Sequence, residues 1–332
     1  MKKDTLLVIG ACGQIGVELI AALRREYGDQ RVIAADLKPS TAALQAEGPY
    51  EQLDVLNRGA LSALISRHDV TQVYLLAALL SATGEQHPEK TWHLNTQSLL
   101  NILDLARERR LGRVFFPSSI AVFGPDAPRR DCPQPTALTP TTVYGISKMA
   151  GESWCRYYWH KYGVDIRSIR YPGLISHRTQ PGGGTTDYAV DIFHQALAHG
   201  NYCCYLRPDS VLPMMYMPDA IRATMQLMSV PSAWLTVRSS YNLAAMSFSP
   251  MELARAIEQY IPGFSIRFEP DYRQVIADSW PQSIDDSAAR RDFNWEYEYG
   301  LSATVRDMLL HLPKKTGAQG HPLPRLQPDI FF

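Results

Sequence analysis

The sequence predicts an α/β protein, a doubly wound parallel sheet followed by a smaller C-terminal lobe. Three observations carry that expectation. Short β-rich apolar runs alternate with helix-length segments from Leu6 to Pro172, the order that builds a parallel sheet covered on both faces. The first run ends in Gly10-x-x-Gly13-x-x-Gly16, where strand gives way to helix. Further on, Tyr144 and Lys148 stand at i and i+4 of one helical segment, on one face and about one turn apart.

The chain has 332 residues, 45% hydrophobic and 20% charged, with 33 Lys plus Arg against 33 Asp plus Glu. This is ordinary globular composition, and the length suits two domains or one large domain with a lobe. Zero net charge without a basic tract leaves no footprint for nucleic acid or an anionic membrane. The longest apolar run, Val73 to Leu80, is far too short for a bilayer span. With a strand-like run opening by Leu6, no leader peptide is expected. Five irregularly spaced cysteines form no disulfide framework, and no Cys-x-x-Cys or His-x-x-x-His cluster suggests zinc. The expectation is a cytoplasmic protein with reduced thiols and no metal.

Leu6 to Ile9 is the first strand, and the helix after it runs to Tyr27 with Gly28 as terminator. Gly10, Gly13 and Gly16 permit a tight turn and close approach of backbone to a ligand. Gln14 and Ile15 open a helix whose free N–H groups suit a pyrophosphate. Arg31 to Ala35 is a second strand closed by Asp36, 20 residues after Gly16. An acid there accepts from ribose hydroxyls and repels a 2′-phosphate, which favours NAD over NADP. Together these features read as a Rossmann domain.

Residues 52–55 read as a third strand whose end, with Asp54 and Val55, meets the adenine. After a helix over 60–67, Gln72 to Ala78 is a continuous apolar strand of the doubly buried kind. It delivers Leu76, Ala77 and Ala78 to the cofactor, with Ser81 in the loop beyond. A helix over 92–109 contains Asn95, a polar group either satisfied in the core or facing the site. The strand Arg113 to Phe116 leads into Pro117-Ser118-Ser119, and ligands of an open parallel sheet sit beyond such carboxyl ends. The strand over 164–171 exits through Tyr171 and Leu174.

A free phenol, with a pKa near ~10, is a poor base at neutral pH. An ammonium held beside it favours the phenolate, so Tyr144 and Lys148 read as a proton acceptor for an alcohol. Tyr157 and Lys161 share the spacing, but 13 residues at ~100° each turn Tyr157 roughly 140° from Tyr144. Trp154, Tyr157, Tyr158, Trp159 and Tyr162 make that helix aromatic on several sides, so it is buried all round or pairs with a second copy of the chain. A homodimer is the expectation.

Gly10-x-x-Gly13-x-x-Gly16, Ser118-Ser119 and Tyr144-x-x-x-Lys148 together resemble the extended short-chain dehydrogenase/reductases, the NAD-dependent epimerase/dehydratase family. In the second half, Arg170-Tyr-Pro-Gly-Leu-Ile-Ser176, Pro181-Gly-Gly-Gly-Thr-Thr-Asp-Tyr-Ala189, Leu212-Pro-Met-Met-Tyr-Met-Pro-Asp-Ala220 and Trp280-Pro-x-x-Ile-Asp-Asp-Ser287 resemble its metal-independent, L-threonine-oxidising branch. The resemblance implies Tyr144 as base, Lys148 lowering its pKa and holding the nicotinamide ribose, and Ser119 on the substrate oxygen. It implies a cofactor cleft lined by Asp36, Leu37, Asp54, Val55, Ala77, Ala78 and Leu174. The expected reaction is NAD-dependent oxidation of L-threonine at its 3-hydroxyl. The alternative within the family is a nucleotide-sugar epimerase or dehydratase.

Gly182, Gly183 and Gly184 lead through Thr185 and Thr186 into a helix over 188–199 ended by Gly200. Two readings stand: a cradle for the carboxylate of a small amino acid, with a threonine hydroxyl adding a contact, or an N-cap on a loop. Asp219 reads as the cap of a helix near Ala220. Trp280 either walls the substrate pocket or packs in the core. The expected division is a dinucleotide-binding domain over 1–172 with help from 205–245, a substrate lobe over 173–204 and 246–313, and a tail over 314–332.

Overall fold

The computed structural model describes residues 4–39, 47–180 and 182–312; the expected tail and Pro181 of the glycine loop lie outside the described residues. Strands are β1 (Leu6–Ile9), β2 (Val32–Asp36), β3 (Tyr50–Gln52), β4 (Gln72–Leu75), β5 (Arg113–Ser119), β6 (Ile166–Tyr171), β7 (Gly173–Ile175), β8 (Asn201–Cys204), β9 (Leu212–Tyr216), β10 (Tyr241–Asn242), β11 (Met246–Phe248) and β12 (Ser265–Phe268). In the first half, helices are α1 (Gln14–Tyr27), α2 (Arg58–Arg67), α3 (Ser81–Gln86), α4 (Pro88–Arg109) and α5 (Val143–Tyr162). In the second half they are α6 (Tyr188–His199), α7 (Met217–Ser229), α8 (Pro250–Glu258), α9 (Arg273–Asp278), α10 (Ser287–Phe293) and α11 (Leu301–His311).

The main sheet has the order β10-β6-β5-β4-β1-β2-β3, every pair parallel. Strand side chains alternate faces, and the apolar residues follow that period. Leu6 and Val8 join α1, α7 and Trp295 in one layer, while Leu7 and Ile9 join α2, α4 and the buried side of α5 in the other. The order reverses direction between β1 and β4, and a crevice opens at such a switch point beyond the strand ends. A second apolar core unites α6, α8 and α11 with Phe123, Tyr216 and Trp280. Two small sheets, β11-β9-β7 and β12-β8, belong to that region. Among the described residues no helix is long and apolar enough to cross a membrane.

Several boundaries differ from the sequence expectation. The third strand is residues 50–52, paired Ala34 to Tyr50 through Asp36 to Gln52, so Asp54 and Val55 lie past its end. Apolar Leu53 is buried and its N–H donates to Asp36 O at 2.8 Å, where β2 ends. Asp54 instead turns the chain, its Oδ1 accepting from the Leu56 N–H at 2.9 Å. β4 stops at Leu75, short of the predicted Ala78, and Ser81 opens α3 rather than sitting in a loop. α4 begins at Pro88, four residues early, with proline in the first turn where its missing N–H costs nothing. β6 starts two residues late, at Ile166.

β5 runs on through Pro117 to Ser119. Its pairing with β4 ends at Phe115, so at Pro117 it pairs only with β6 and no ladder donor is lost toward β4. Asp219 is no cap. It lies in the first turn of α7, fully buried, and accepts from the main-chain N–H of Glu298 and Tyr299 at 3.0 Å each and from Arg222 at 2.6 Å. Its carboxylate thereby ties the residues leading to α11 onto α7.

Candidate active site

A cleft of about 620 Å³ opens at the switch point. One end is the glycine turn. Gly10 takes φ +90°, and the N–H groups of Gly10 and Ala11 both donate to Ala35 O, at 2.9 and 3.0 Å. A Cβ on Gly16 would stand 2.3 Å from Gly10 O, so only glycine lets α1 begin this close to the end of β1. Val17 donates to Gly13 O, and the amides ahead of it have no acceptor within the helix. Gln14 Nε2 and Thr179 Oγ1, both on residues lining the cleft, are buried without a hydrogen-bond partner among the described residues. Orphaned polar groups beside a helix N-terminus fit a dinucleotide's pyrophosphate and ribose.

Asp36 stands where β2 ends. Its two oxygens accept from the N–H of Cys12 at 2.9 Å and of Lys38 at 3.0 Å. A carboxylate is thus fixed beside the turn, with lone pairs left for further donors.

The other end of the cleft joins β5 to α5. Thr142 caps α5, its side chain accepting from the Gly145 N–H at 3.1 Å. Gly151 lets the helix approach the strand: a Cβ there would meet Phe116 at 2.5 Å. On the face toward the sheet, Tyr144 and Lys148 are almost wholly buried. Ser119 stands close enough to the Tyr144 hydroxyl to lower its pKa, and its Oγ accepts from the Ala121 N–H at 3.2 Å. Lys148 Nζ donates to Pro117 O at 2.7 Å and lies 4.7 Å from the Phe116 ring centre and 5.6 Å from that of Tyr144.

Burial controls both titrations. It pushes the Tyr144 phenol up to about 12, with Ser119 pulling in the opposite direction. It drives the Lys148 ammonium down to about 7, against the upward pull of Cys155 and Glu152. The expectation that Lys148 draws Tyr144 toward neutrality is not met in this arrangement, because its ammonium is turned to a main-chain carbonyl.

Behind the pair lies an ion network that the motif reading missed. Glu152 accepts from Ser118 Oγ at 2.6 Å and from Arg170 at 2.9 and 2.7 Å, and Arg170 donates onward to Asn242 at 3.0 Å. All four are buried. The clue was there: Glu152 is four residues past Lys148, on the same helix face.

The glycine loop closes the cleft differently from either sequence reading. Asp187 Oδ2 accepts from the N–H of both Gly183 and Gly184, at 2.8 Å each, so the chain's own carboxylate takes the amides of the proposed cradle. Burial raises the Asp187 pKa and these amides lower it. Thr185 turns inward, its hydroxyl 3.1 Å from that of Ser81. Thr186 stays on the cleft wall.

Of the candidate residues, the cleft brings together Gly10, Gly13, Gln14, Ile15, Gly16, Leu76, Ala78, Ser81, Ser119, Tyr144, Lys148, Tyr171, Leu174, Gly184, Thr185, Thr186 and Trp280. Tyr171 contributes its main chain, since its hydroxyl is bonded to Thr224 in the core. Outside the lining lie Asp36, Leu37, Asp54, Val55, Ala77 and Asn95. Ala77 packs behind Gly10, and Leu37 is exposed to solvent. Asn95 proves to be a satisfied buried group: it pairs with the main chain of Leu79 at 2.9 and 3.0 Å and donates to Ser147. Sequence reasoning missed Cys12, Leu80, Thr83, Thr179, Gln180 and Asp187 on the wall. Only Asp187, directly after the glycine-threonine run, carried a local signal.

The sequence signature of the NAD dependent epimerase/dehydratase family matches residues 6–244. The chain belongs to that family. It is an oxidoreductase that works with a nicotinamide dinucleotide on a small molecule. Among solved structures it is similar to a GalE-like L-threonine dehydrogenase from Cupriavidus necator in its holo form, 57% identical with a TM-score of 0.90, covering 92% of this chain and 99% of that one. It is also similar to a monomeric L-threonine 3-dehydrogenase from a metagenome, 44% identical with a TM-score of 0.89, covering 92% and 98%. An uncharacterised epimerase/dehydratase of Staphylococcus haemolyticus is 45% identical over 314 residues, 94% of this chain and 98% of its own.

The buried lysine gives a stability signature. Its folded pKa, about 7, lies below the ordinary 10.5, so between those values the unfolded chain binds the extra proton. Stability therefore rises as pH climbs from 7 to 10.5, while below pH 7 the cost of burying the charge is complete. Lys148→Met should raise unfolding free energy by a few kcal/mol more at pH 7 than at pH 10, read by urea denaturation. An equal offset at both pH values would contradict the assignment.

Proposed function

We propose that this chain catalyses NAD-dependent oxidation of L-threonine at its 3-hydroxyl, giving L-2-amino-3-ketobutyrate, NADH and a proton. One observation carries the reading: Ser119, Tyr144 and Lys148 meet in the cleft that also holds the glycine turn, in a chain so similar to L-threonine dehydrogenases. The substrate end is confined by Ser81, Thr186 and Trp280, which suits an amino acid rather than a nucleotide sugar.

In this reading Tyr144 takes the hydroxyl proton and Ser119 holds the same oxygen in line. Lys148 makes the phenolate accessible. A phenolate with an ammonium carries as many protons as a phenol with a neutral amine, and the ion pair gains Coulomb energy in a water-poor cleft. A nicotinamide held beside Tyr144 and Lys148 would supply the acceptor for the hydride of the hydroxyl-bearing carbon. Fixed geometry supplies much of the remaining acceleration.

Asp36 supports NAD over NADP, since a second negative charge from a 2′-phosphate would face its carboxylate. The division of labour we propose gives residues 1–172 with 205–245 to the cofactor, and 173–204 with 246–313 to the substrate.

We also propose a homodimer. Trp154, Tyr157 and Tyr162 on α5 and Trp92 on α4 are each more than a third exposed, and α4 and α5 pack side by side. Tyr157 and Lys161 hydrogen-bond to each other at 2.6 Å on this outer surface, which suits a packing role. Sedimentation of the purified protein as two copies supports the pairing, and a monomer at micromolar concentration removes it.

The activity is tested by NADH absorbance on mixing the protein with NAD and L-threonine. The expected result is turnover that NADP supports poorly and that Tyr144→Phe lowers about 10²–10⁴-fold. A folded, NAD-binding protein that makes no NADH would overturn the substrate assignment.

A further inference from the structure

Away from the cleft, we propose that His177, Asp307 and His311 form a binding site for a divalent transition-metal ion of the zinc class. One ring nitrogen of each histidine and one carboxylate oxygen of Asp307 lie within 4.8 Å of one another. Two imidazoles and a carboxylate are the donor set of zinc and its neighbours rather than of magnesium or calcium. No local spacing announces the group, because His177 follows β7 while Asp307 and His311 are one turn apart on α11. None of the three lines the cleft.

The surroundings prepare these side chains for metal. The two rings stack, with centres 4.6 Å apart and planes inclined by 22°. Tyr216 spends its one hydroxyl proton on Asp307 Oδ2, at 2.5 Å. His177 Nδ1, 2.8 Å from the Tyr216 oxygen, is therefore the donor of that pair. His311 Nδ1 donates to the Asp307 carbonyl, an acceptor only, at 2.9 Å. Hydrogen bonds that fix histidine tautomers and orient carboxylates are the usual support of a metal centre.

Zinc ligands at about 2.0–2.2 Å from the ion require the three atoms to draw together by roughly 1 Å. His311, half exposed on the last turn of α11, has the freedom to do so, and water would complete four-coordination. The ion would tie α11 to the segment after β7, which carries Thr179 and Gln180 to the cleft wall.

Full-length protein treated with chelator and dialysed is titrated with ZnCl2, with binding followed by calorimetry and unfolding by temperature. The expected result is one equivalent bound and Tm raised by about 3–5 °C at saturation, with no shift from MgCl2. His311→Ala and Asp307→Asn should each abolish the shift, and His311→Ala should keep the metal-free turnover. Cobalt should give the visible absorption of a four-coordinate site, lost in His311→Ala. A zinc shift that survives both substitutions would place the ion elsewhere, and no binding at about 100 µM zinc would remove the site; either overturns the proposal.

Discussion

The feature on which the rest of the structure depends is the burial of Lys148 against the end of β5. Its ammonium donates to the Pro117 carbonyl and lies over the Phe116 ring. A cation so placed is costly unless nearby dipoles and charges compensate. The chain supplies them by pressing α5 onto β5, with glycine at 151 where any side chain would strike Phe116. Glycine inside a helix costs about 1 kcal/mol relative to alanine, and here it permits the contact that sets the reacting groups. Glu152, locked by Ser118 and Arg170, stands one turn from Lys148 and holds the strand and helix in that relation.

From this constraint the two halves of the site follow. The switch point puts the open N-terminus of α1 and the carboxyl ends of β4 and β5 around one crevice. In the proposed mechanism the nucleotide-binding groups come from the first turn and the reacting groups from β5 and α5. Beyond β7 the chain brings Thr186 and Asp187 to the wall of the same cleft as Tyr144. Asp187 satisfies its own loop amides, so the loop is shaped before any substrate arrives. The groups left for a small polar molecule are hydroxyls and the Trp280 wall.

Most of the sheet and the placing of Tyr144 and Lys148 on one buried helix face were legible in the sequence because their signals are local. A glycine triplet between strand and helix, an acid closing β2, and a tyrosine and lysine one turn apart each specify geometry within a few residues. What stayed hidden depends on partners far along the chain. Leu53 is apolar and buried, yet β3 ends before it because β2 offers no further ladder. Tyr171 lies on a site-bearing strand, but Thr224 of α7 draws its hydroxyl into the core. Asn95 faces Leu79 and Ser147 rather than a cofactor. Spacing predicts the face a residue occupies, and only the fold shows what already sits there.

The most direct test of the account is single-turnover reaction with L-threonine deuterated at C3. Direct hydride removal from that carbon, with Tyr144 as base, predicts deuterium on C4 of the reduced nicotinamide and a slowed hydride step. Deuterium lost to solvent, or NADH formed without it, would contradict the assignment of the reacting carbon.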